Sequence, residues 1–152
     1  KTSTTKSISE NSKKLALSHV VPDLILKSLD YKNELEILGK GNQIRHYTYG
    51  EDLAEGVVTL LEHKNAKNDD FNLSTSTSTT VLELADLIFS KINPGITPKY
   101  KFVEPFTYDV QKRIPSTEKA KNLLNFEAKT SLSEMLDIVI PWVKEAKVNN
   151  LY

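Results

Sequence analysis

Ile37-Leu38-Gly39-Lys40-Gly41-Asn42-Gln43-Ile44-Arg45-His46-Tyr47-Thr48-Tyr49-Gly50-Glu51-Asp52-Leu53-Ala54 is the stretch on which the fold turns. Leu35 and Ile37 before the glycines, and Tyr47 and Tyr49 after them, alternate with polar neighbours. That period of two belongs to half-buried strands, so the segment predicts a hairpin-like pair of short strands about the turn Gly39-Lys40-Gly41-Asn42. Directly downstream, Leu53, Val57, Leu60 and Leu61 form one stripe between Asp52 and His63. Glu51 and Asp52 stand where the positive end of a helix dipole favours acids, and an amphipathic helix follows.

Working outward, residues 1–14 are Lys, Ser, Thr, Asn and Glu with a single Ile. Such a segment buries too little apolar surface to offset the entropy of ordering, and it reads as an arm or linker. From Leu15 the apolar spacing becomes helical, with a helix expected from about Pro22 to Leu29. Asp70-Phe71-Asn72-Leu73 is a candidate strand, and the seven-residue Ser/Thr run from Ser74 to Thr80 a loop. Thr80 and Glu83 have capping-box spacing ahead of Val81, Leu84, Ala85 and Ile88, a helix ending before Asn93-Pro94-Gly95. Lys99 to Val103 alternates as a strand. Ser116 is placed to cap a short helix through Leu124, with Asn125 as its left-handed exit. Ser131 and Glu134 form a second capping box, opening a last helix bent at Pro141. Four or five helices and four short strands make an α+β domain over residues 15–148, with 149–152 as a tail.

The chain has 152 residues, 20 basic and 20 acidic side chains, and no cysteine. A domain of this length buries roughly 70% of its unfolded surface and needs no disulfide or metal staple. Without Cys there is no disulfide scaffold, thiolate metal site or cysteine nucleophile. Formal net charge 0 argues against nucleic acid as a partner, because no basic field draws the chain onto phosphates. No apolar run approaches the ~20 residues of a membrane span, and a soluble, cytoplasmic protein is expected. The sequence opens at Lys1 and its one methionine is Met135, which leads to the expectation that it is part of a longer protein.

The candidate chemistry is sparse. His19, His46 and His63 fall in no nucleophile or metal motif, and adjacent acids such as Asp69-Asp70 read as solvated. Gly39-Lys40-Gly41 starts like a dinucleotide fingerprint, but the third glycine would fall at Ile44, and the five glycines (39, 41, 50, 56, 95) build no P-loop. Of the 20 basic residues only Arg45 and Arg113 are arginine. A chain that uses lysine elsewhere keeps a planar fork at two places, either for bidentate contact with phosphate or carboxylate or for ordinary salt bridges.

The quoted stretch resembles the GxGxQxRdfiyVxDlA segment of extended short-chain dehydrogenases/reductases, the NAD-dependent epimerases, dehydratases and decarboxylases of nucleotide sugars. Further blocks follow the same order as in that family. His19-Val20-Val21-Pro22 precedes the stretch. After it come Asp70-Phe71-Asn72-Leu73 with Val81-Leu82-Glu83-Leu84-Ala85, and then Asp109-Val110-Gln111-Lys112-Arg113-Ile114-Pro115 with Lys119-Ala120-Lys121-Asn122-Leu123-Leu124. Thr130-Ser131-Leu132-Ser133-Glu134-Met135 and Pro141-Trp142 complete the series. The resemblance covers about residues 17 to 146, the C-terminal half of such an enzyme. The half with the Gly-rich NAD loop and the catalytic Tyr-x-x-x-Lys pair has no counterpart here. Tyr108 and Lys112 have that spacing by chance, since Pro115 follows closely and disfavours the helix the pair requires.

The resemblance implies the C-terminal substrate-binding portion of an extended enzyme with its Rossmann core absent, an isomerase or lyase by parentage. Arg45 is then expected to reach a substrate diphosphate, with Arg113 on the same phosphates or the ribose from the opposite side. The strand ending at Leu38 lies beside the base, and Asp52 is either a ligand or a stabiliser of its helix. No catalytic residue, metal or cofactor is expected in this chain, NAD(P) belonging to the parent. Its partners are a nucleotide-diphosphate sugar and either an N-terminal Rossmann half or a second copy. The chain departs from the family pattern at His46, Ser116 and Asn125-Phe126, where Asp, Asp and Gly-Trp are common. Two other roles stand beside this one: a stand-alone nucleotide-sugar binder, and an interaction domain that docks on a separate Rossmann half.

Overall fold

A computed structural model describes residues 19–151, so the arm expected over residues 1–14 lies outside the described residues. Helix α1, Val20–Leu29, buries Leu24, Ile25 and Ser28. Strand β1, Leu35–Leu38, follows and sends Leu35 and Ile37 inward, each about 1% exposed. Helix α2 is Gly50–Glu62, helix α3 is Val81–Ile92, and strand β4 is Tyr100–Val103. Between them lie the two-residue strands β2, Ile44–Arg45, and β3, Thr79–Thr80. Helix α4, Glu118–Leu124, and helix α5, Leu132–Val148, close the chain.

The core is a layer of helices α1, α3 and α5 laid over β1. Leu24, Ile25, Leu35, Ile37, Leu84, Ile88, Phe89, Leu136 and Val143 form one contiguous cluster. Phe89 is fully buried and meets Tyr31 edge-on at 4.7 Å between centroids, an arrangement the ring quadrupoles favour. Both capping boxes form as expected. Thr80 Oγ1 accepts from Glu83 N–H while the Glu83 carboxylate accepts from Thr80 N–H, and Ser131 and Glu134 do the same for α5. A smaller cluster of Ala66, Ala120, Leu124 and Phe126 lies under α2 and α4.

Several expectations are corrected. The hairpin does not form: β1 pairs with β4, parallel, in the register Leu35↔Tyr100 to Leu38↔Val103. Tyr47 and Tyr49 lie outside any strand and pack against the core at the approach to α2. The glycines explain this. Gly39 and Gly41 both take positive φ, 64° and 71°, but they steer the chain past its neighbours rather than back on itself. A Cβ on Gly41 would lie 3.1 Å from Ile37 Cγ2 and 3.2 Å from Leu82 Cβ, so this backbone must come close where a hairpin turn would stand clear. Asp70 to Leu73 is irregular, and β3 instead comes from the end of the Ser/Thr run. Thr117, not Ser116, is the N-cap of α4, without a side-chain hydrogen bond, and the Ser116 carbonyl accepts from Asn72 Nδ2. Asn125 does exit left-handed, at φ 53°. Helix α5 carries Pro141 within its span, on the exposed side, where a missing N–H is tolerated.

Candidate functional site

Strand β2 organises the site because a segment pairs with its residues along each edge. β3 pairs with it antiparallel, Ile44↔Thr80 and Arg45↔Thr79. Along its other edge Ile44 N–H donates to Gln111 O at 2.8 Å and Arg113 N–H donates to Ile44 O at 3.1 Å. That short parallel bridge draws residues 111–113 alongside Ile44. Two arginines 68 positions apart in the chain, Arg45 and Arg113, thus come to line one cleft of about 730 Å3. His46, Thr48, Asn72 and Ser74 line it too, with Val20 and Leu53 on the apolar side, and no carboxylate is among the lining residues. A second cleft of about 410 Å3 opens between the Gly39-Lys40 turn and the end of β4, lined by Gln43, Val103, Glu104, Pro105 and Gln111 among others.

A hydrogen-bonded triad separates the two clefts. Gln43, 4% exposed, donates through Nε2 to Leu38 O at 3.1 Å and to Asp109 Oδ2 at 2.7 Å. The other Asp109 oxygen, Oδ1, accepts from Arg45 Nη2 at 3.2 Å, and Arg45 Nη1 donates to Ile44 O at 2.9 Å. The Arg45 and Asp109 side chains retain only 21% and 18% exposure, so the pair is poorly screened by solvent. Arg113 is exposed and enters no ion pair found among the described residues. The two guanidiniums therefore differ. Arg45 is a neutralised, held donor, and Arg113 is the cleft's uncompensated cation.

The Ser/Thr run reaches the larger cleft at Ser74 and is stitched to the end of β2. The Thr75 carbonyl only accepts, so His46 Nδ1, 2.7 Å away, carries the ring proton, and Nε2 accepts from Ser78 Oγ at 2.9 Å. Thr48 Oγ1 accepts from Thr75 N–H and lies 3.1 Å from Ser74 Oγ. Tyr47 extends below, between this cleft and a mostly apolar one of about 600 Å3 lined by Val21, Pro22, Met135 and Val139. Its hydroxyl is buried without a hydrogen-bond partner among the described residues. Burial pushes the phenol up to about 12, against the opposing pull of Arg45, so it stays protonated through neutral pH.

Of the residues singled out from sequence, Arg45 and Arg113 share the larger cleft, and Leu38 and Asp52 do not line it. Leu38 ends β1, and its carbonyl is engaged by Gln43. Asp52 is buried at 8% exposure and accepts from Thr130 N–H and Oγ1 at 2.9 and 3.0 Å, tying the start of α2 to the loop before α5. Gln43 and Asp109 stand in the quoted blocks without a role of their own. Gln43 stands two before Arg45 and thus on its side of a strand, and Asp109 is the only acid in the block leading to Arg113; those were the available signals.

The turn through Gly39 and Gly41 is not built as a dinucleotide loop. Gly39 and Gly41 lead into β2 rather than a helix, and a Cβ at Gly39 would lie 3.1 Å from Gln43 Nε2 and 3.3 Å from Pro105 Cβ, so neighbouring side chains already crowd the turn. Among the described residues no three His, Asp or Glu side chains gather as a metal site, and no helix is long and apolar enough to cross a membrane.

Comparisons place the geometry in a family. The profile of the GDP-mannose 4,6 dehydratase family matches residues 5–139. UDP-glucuronic acid decarboxylase 1 of Arabidopsis thaliana is 40% identical over 106 residues, 69% of this chain and 23% of the relative. The Danio rerio enzyme of the same name is 32% identical over 136 residues, 88% of this chain and 31% of the relative. Among solved structures, UDP-glucose 4-epimerase of Thermotoga maritima, with UDP-glucose, aligns with TM-score 0.74 and 29% identity over 86% of this chain and 40% of its own. UDP-glucuronic acid 4-epimerase of Bacillus cereus, in complex with UDP-glucuronic acid and NAD, aligns with TM-score 0.75 and 26% identity over 84% of this chain and 40% of its own. The chain spans less than a third of the curated relatives and about two fifths of the solved chains. It belongs to the nucleotide-sugar epimerase/dehydratase family of extended short-chain dehydrogenases/reductases, and corresponds to their C-terminal part.

Proposed function

We propose that this chain is the substrate-holding portion of an NAD-dependent nucleotide-sugar epimerase or dehydratase, taking the diphosphate of an NDP-sugar in the larger cleft and turning nothing over by itself. The observation that carries the reading is the convergence of Arg45 and Arg113 on one cleft without a lining carboxylate. Charge-assisted hydrogen bonds from a guanidinium to phosphate contribute ~1.5–3 kcal/mol each. The nucleoside then points along the triad toward the smaller cleft, past the end of β1 at Leu38, and the sugar toward the half carrying NAD. Asp52, held by Thr130, serves by fixing the start of α2. The relatives' names divide between decarboxylation and 4-epimerisation, so the reaction class stays at the family level.

The test is a titration of the protein with UDP-, dTDP-, GDP- and CDP-sugars followed by NMR, with NAD added in a parallel assay. Weak, millimolar binding of at least one sugar nucleotide, weakened tenfold or more by Arg113→Ala, supports the reading, as does absence of turnover with NAD. Steady product formation, or binding indifferent to both Arg45→Ala and Arg113→Ala, overturns it.

A second reading has its own observation. Leu53, Val57 and Leu61 of α2 are 42%, 46% and 82% exposed, an apolar stripe facing outward. It fits an interaction domain that docks on a Rossmann half or on a second copy. Micromolar sugar-nucleotide binding would instead favour a stand-alone binder. Light scattering discriminates: a strict monomer with the stripe intact counts against self-association.

A further inference from the structure

The geometry points to Asp109 as a positioning residue that sets how the larger cleft chooses its anion. Anchored by buried Gln43, Asp109 fixes the direction of the Arg45 donors and cancels their charge, so that ligands are selected by hydrogen-bond geometry more than by bare charge. This inference rests on the reading of the cleft as an anion site.

The argument begins with the anchor. The two Nε2 hydrogens of Gln43 are committed, one to Leu38 O and one to Asp109 Oδ2, and Gln43 is 4% exposed. Exchanging its amide nitrogen and oxygen would set an acceptor against two acceptors, so the orientation is forced. Its Oε1 is left buried without a partner, a cost tolerated for the sake of those two bonds. Asp109 therefore cannot swing away from Arg45 without breaking the 2.7 Å bond to a buried group. Arg45 is restrained in turn, with Nη2 on Asp109 and Nη1 on Ile44 O. A diphosphate arriving in the cleft meets the remaining Arg45 N–H groups in a fixed direction and the unneutralised charge of Arg113. A compact inorganic anion, which gains chiefly from net positive charge, meets in effect one cation and a nearby carboxylate.

Asp109→Asn removes the carboxylate charge while keeping side-chain size, and the probes are inorganic pyrophosphate and UDP. Binding is read from the Arg113 and Arg45 side-chain N–H signals at low and moderate salt. The expected result is roughly fivefold tighter pyrophosphate binding, a smaller UDP-over-pyrophosphate preference and a steeper salt dependence. Arg45→Ala alone exposes the carboxylate to the cleft, so pyrophosphate binding should fall, and adding Asp109→Asn should recover most of the loss. A thermal melt checks that each variant is folded, and the Arg45→Ala background keeps the test open if Asp109→Asn alone unfolds. Unchanged or weaker pyrophosphate binding in Asp109→Asn, or no recovery in the double variant, overturns the inference. If the wild type binds no UDP or UDP-sugar while the pyrophosphate pattern holds, the function reading fails and the role of Asp109 survives. If UDP-sugars bind and the selectivity ratio ignores Asp109, the reverse is true.

Discussion

Helices α2 and α3 are similar in length and both carry an apolar stripe, yet they use it in opposite ways. α3 turns Leu84, Ala85, Ile88 and Phe89 into the core at zero exposure. α2 buries Asp52 and Gly56, leaves Leu60 half-buried against the smaller cluster, and presents Leu53, Val57 and Leu61 outward. A helical period states that a face is made to be covered. It does not say what covers it. For α3 the cover is α1 and β1. For α2 the inner face is made of a carboxylate and a glycine, chosen for a hydrogen bond and a close approach, and the stripe stays exposed among the described residues.

Phe89→Ala gives the largest expected effect on the buried side of this comparison. It empties a fully buried ring site, also removes the edge contact with Tyr31, and is expected to cost ~3–5 kcal/mol by urea denaturation. Leu61→Ser, at the same kind of stripe position on α2, should change stability by less than ~0.5 kcal/mol and lower self-association. A loss at Leu61 comparable to that at Phe89 would break the contrast.

Gly56→Ala comes next. Alanine in place of an exposed helical glycine ordinarily stabilises by about 1 kcal/mol. Here the added Cβ would lie 2.8 Å from Phe126 Cζ, 2.9 Å from Cε2 and 3.1 Å from Leu73 Cδ1. Phe126 belongs to the smaller cluster and is 8% exposed, so the ring has little room to retreat. The expected net result is a loss of ~1–3 kcal/mol, by the same urea assay. A gain would mean that α2 is not seated through this contact.

The sequence made the self-contained parts of the fold legible and left open the parts fixed by distant partners. The capping pairs Thr80/Glu83 and Ser131/Glu134, the left-handed Asn125 and the α3 stripe are local rules, decided within about four residues. The pairing of β1 with β4 closes a loop across residues 39–99, and nothing between Leu35 and Leu38 names Tyr100 as the neighbour. The site divides in the same way. Scarcity of arginine marked Arg45 and Arg113, and the parallel bridge at Ile44 brings them to one cleft. The partner of Arg45 lies 64 residues away, and the carboxylate of Asp52 is held by Thr130, 78 residues away.

The caps give a smaller and pH-dependent effect. Glu83 is held below the ordinary glutamate range, first by the Thr80 N–H and then by its hydroxyl; Glu134 is held low by the Ser131 hydroxyl and then the N–H. A depressed carboxyl contributes stability above its unfolded value and loses it as pH falls through the lower folded value. Acid titration of stability should therefore show a loss below the ordinary glutamate range. Thr80→Ala is expected to cost ~1 kcal/mol at neutral pH. It should also flatten part of the acid loss.

Tyr47→Phe carries the smallest effect and tests where the α2 side of the molecule gives up stability for its cleft. The Tyr47 ring is packed against the core, but its hydroxyl is buried with no partner found among the described residues, at the boundary of the polar cleft and the apolar one. Removing an unsatisfied buried hydroxyl while keeping the ring should stabilise the fold by about 1 kcal/mol or less. The sign on the alkaline side follows from the raised phenol. With its folded value near 12 and its unfolded value at the ordinary 10, the unfolded chain ionises first. Stability is then intact below about pH 10 and declines as pH climbs toward 12. Tyr47→Phe removes that share of the decline. A loss of stability at neutral pH in Tyr47→Phe would show that the hydroxyl is satisfied after all. A gain accompanied by weaker sugar-nucleotide binding would place it among the groups that the cleft, not the core, requires.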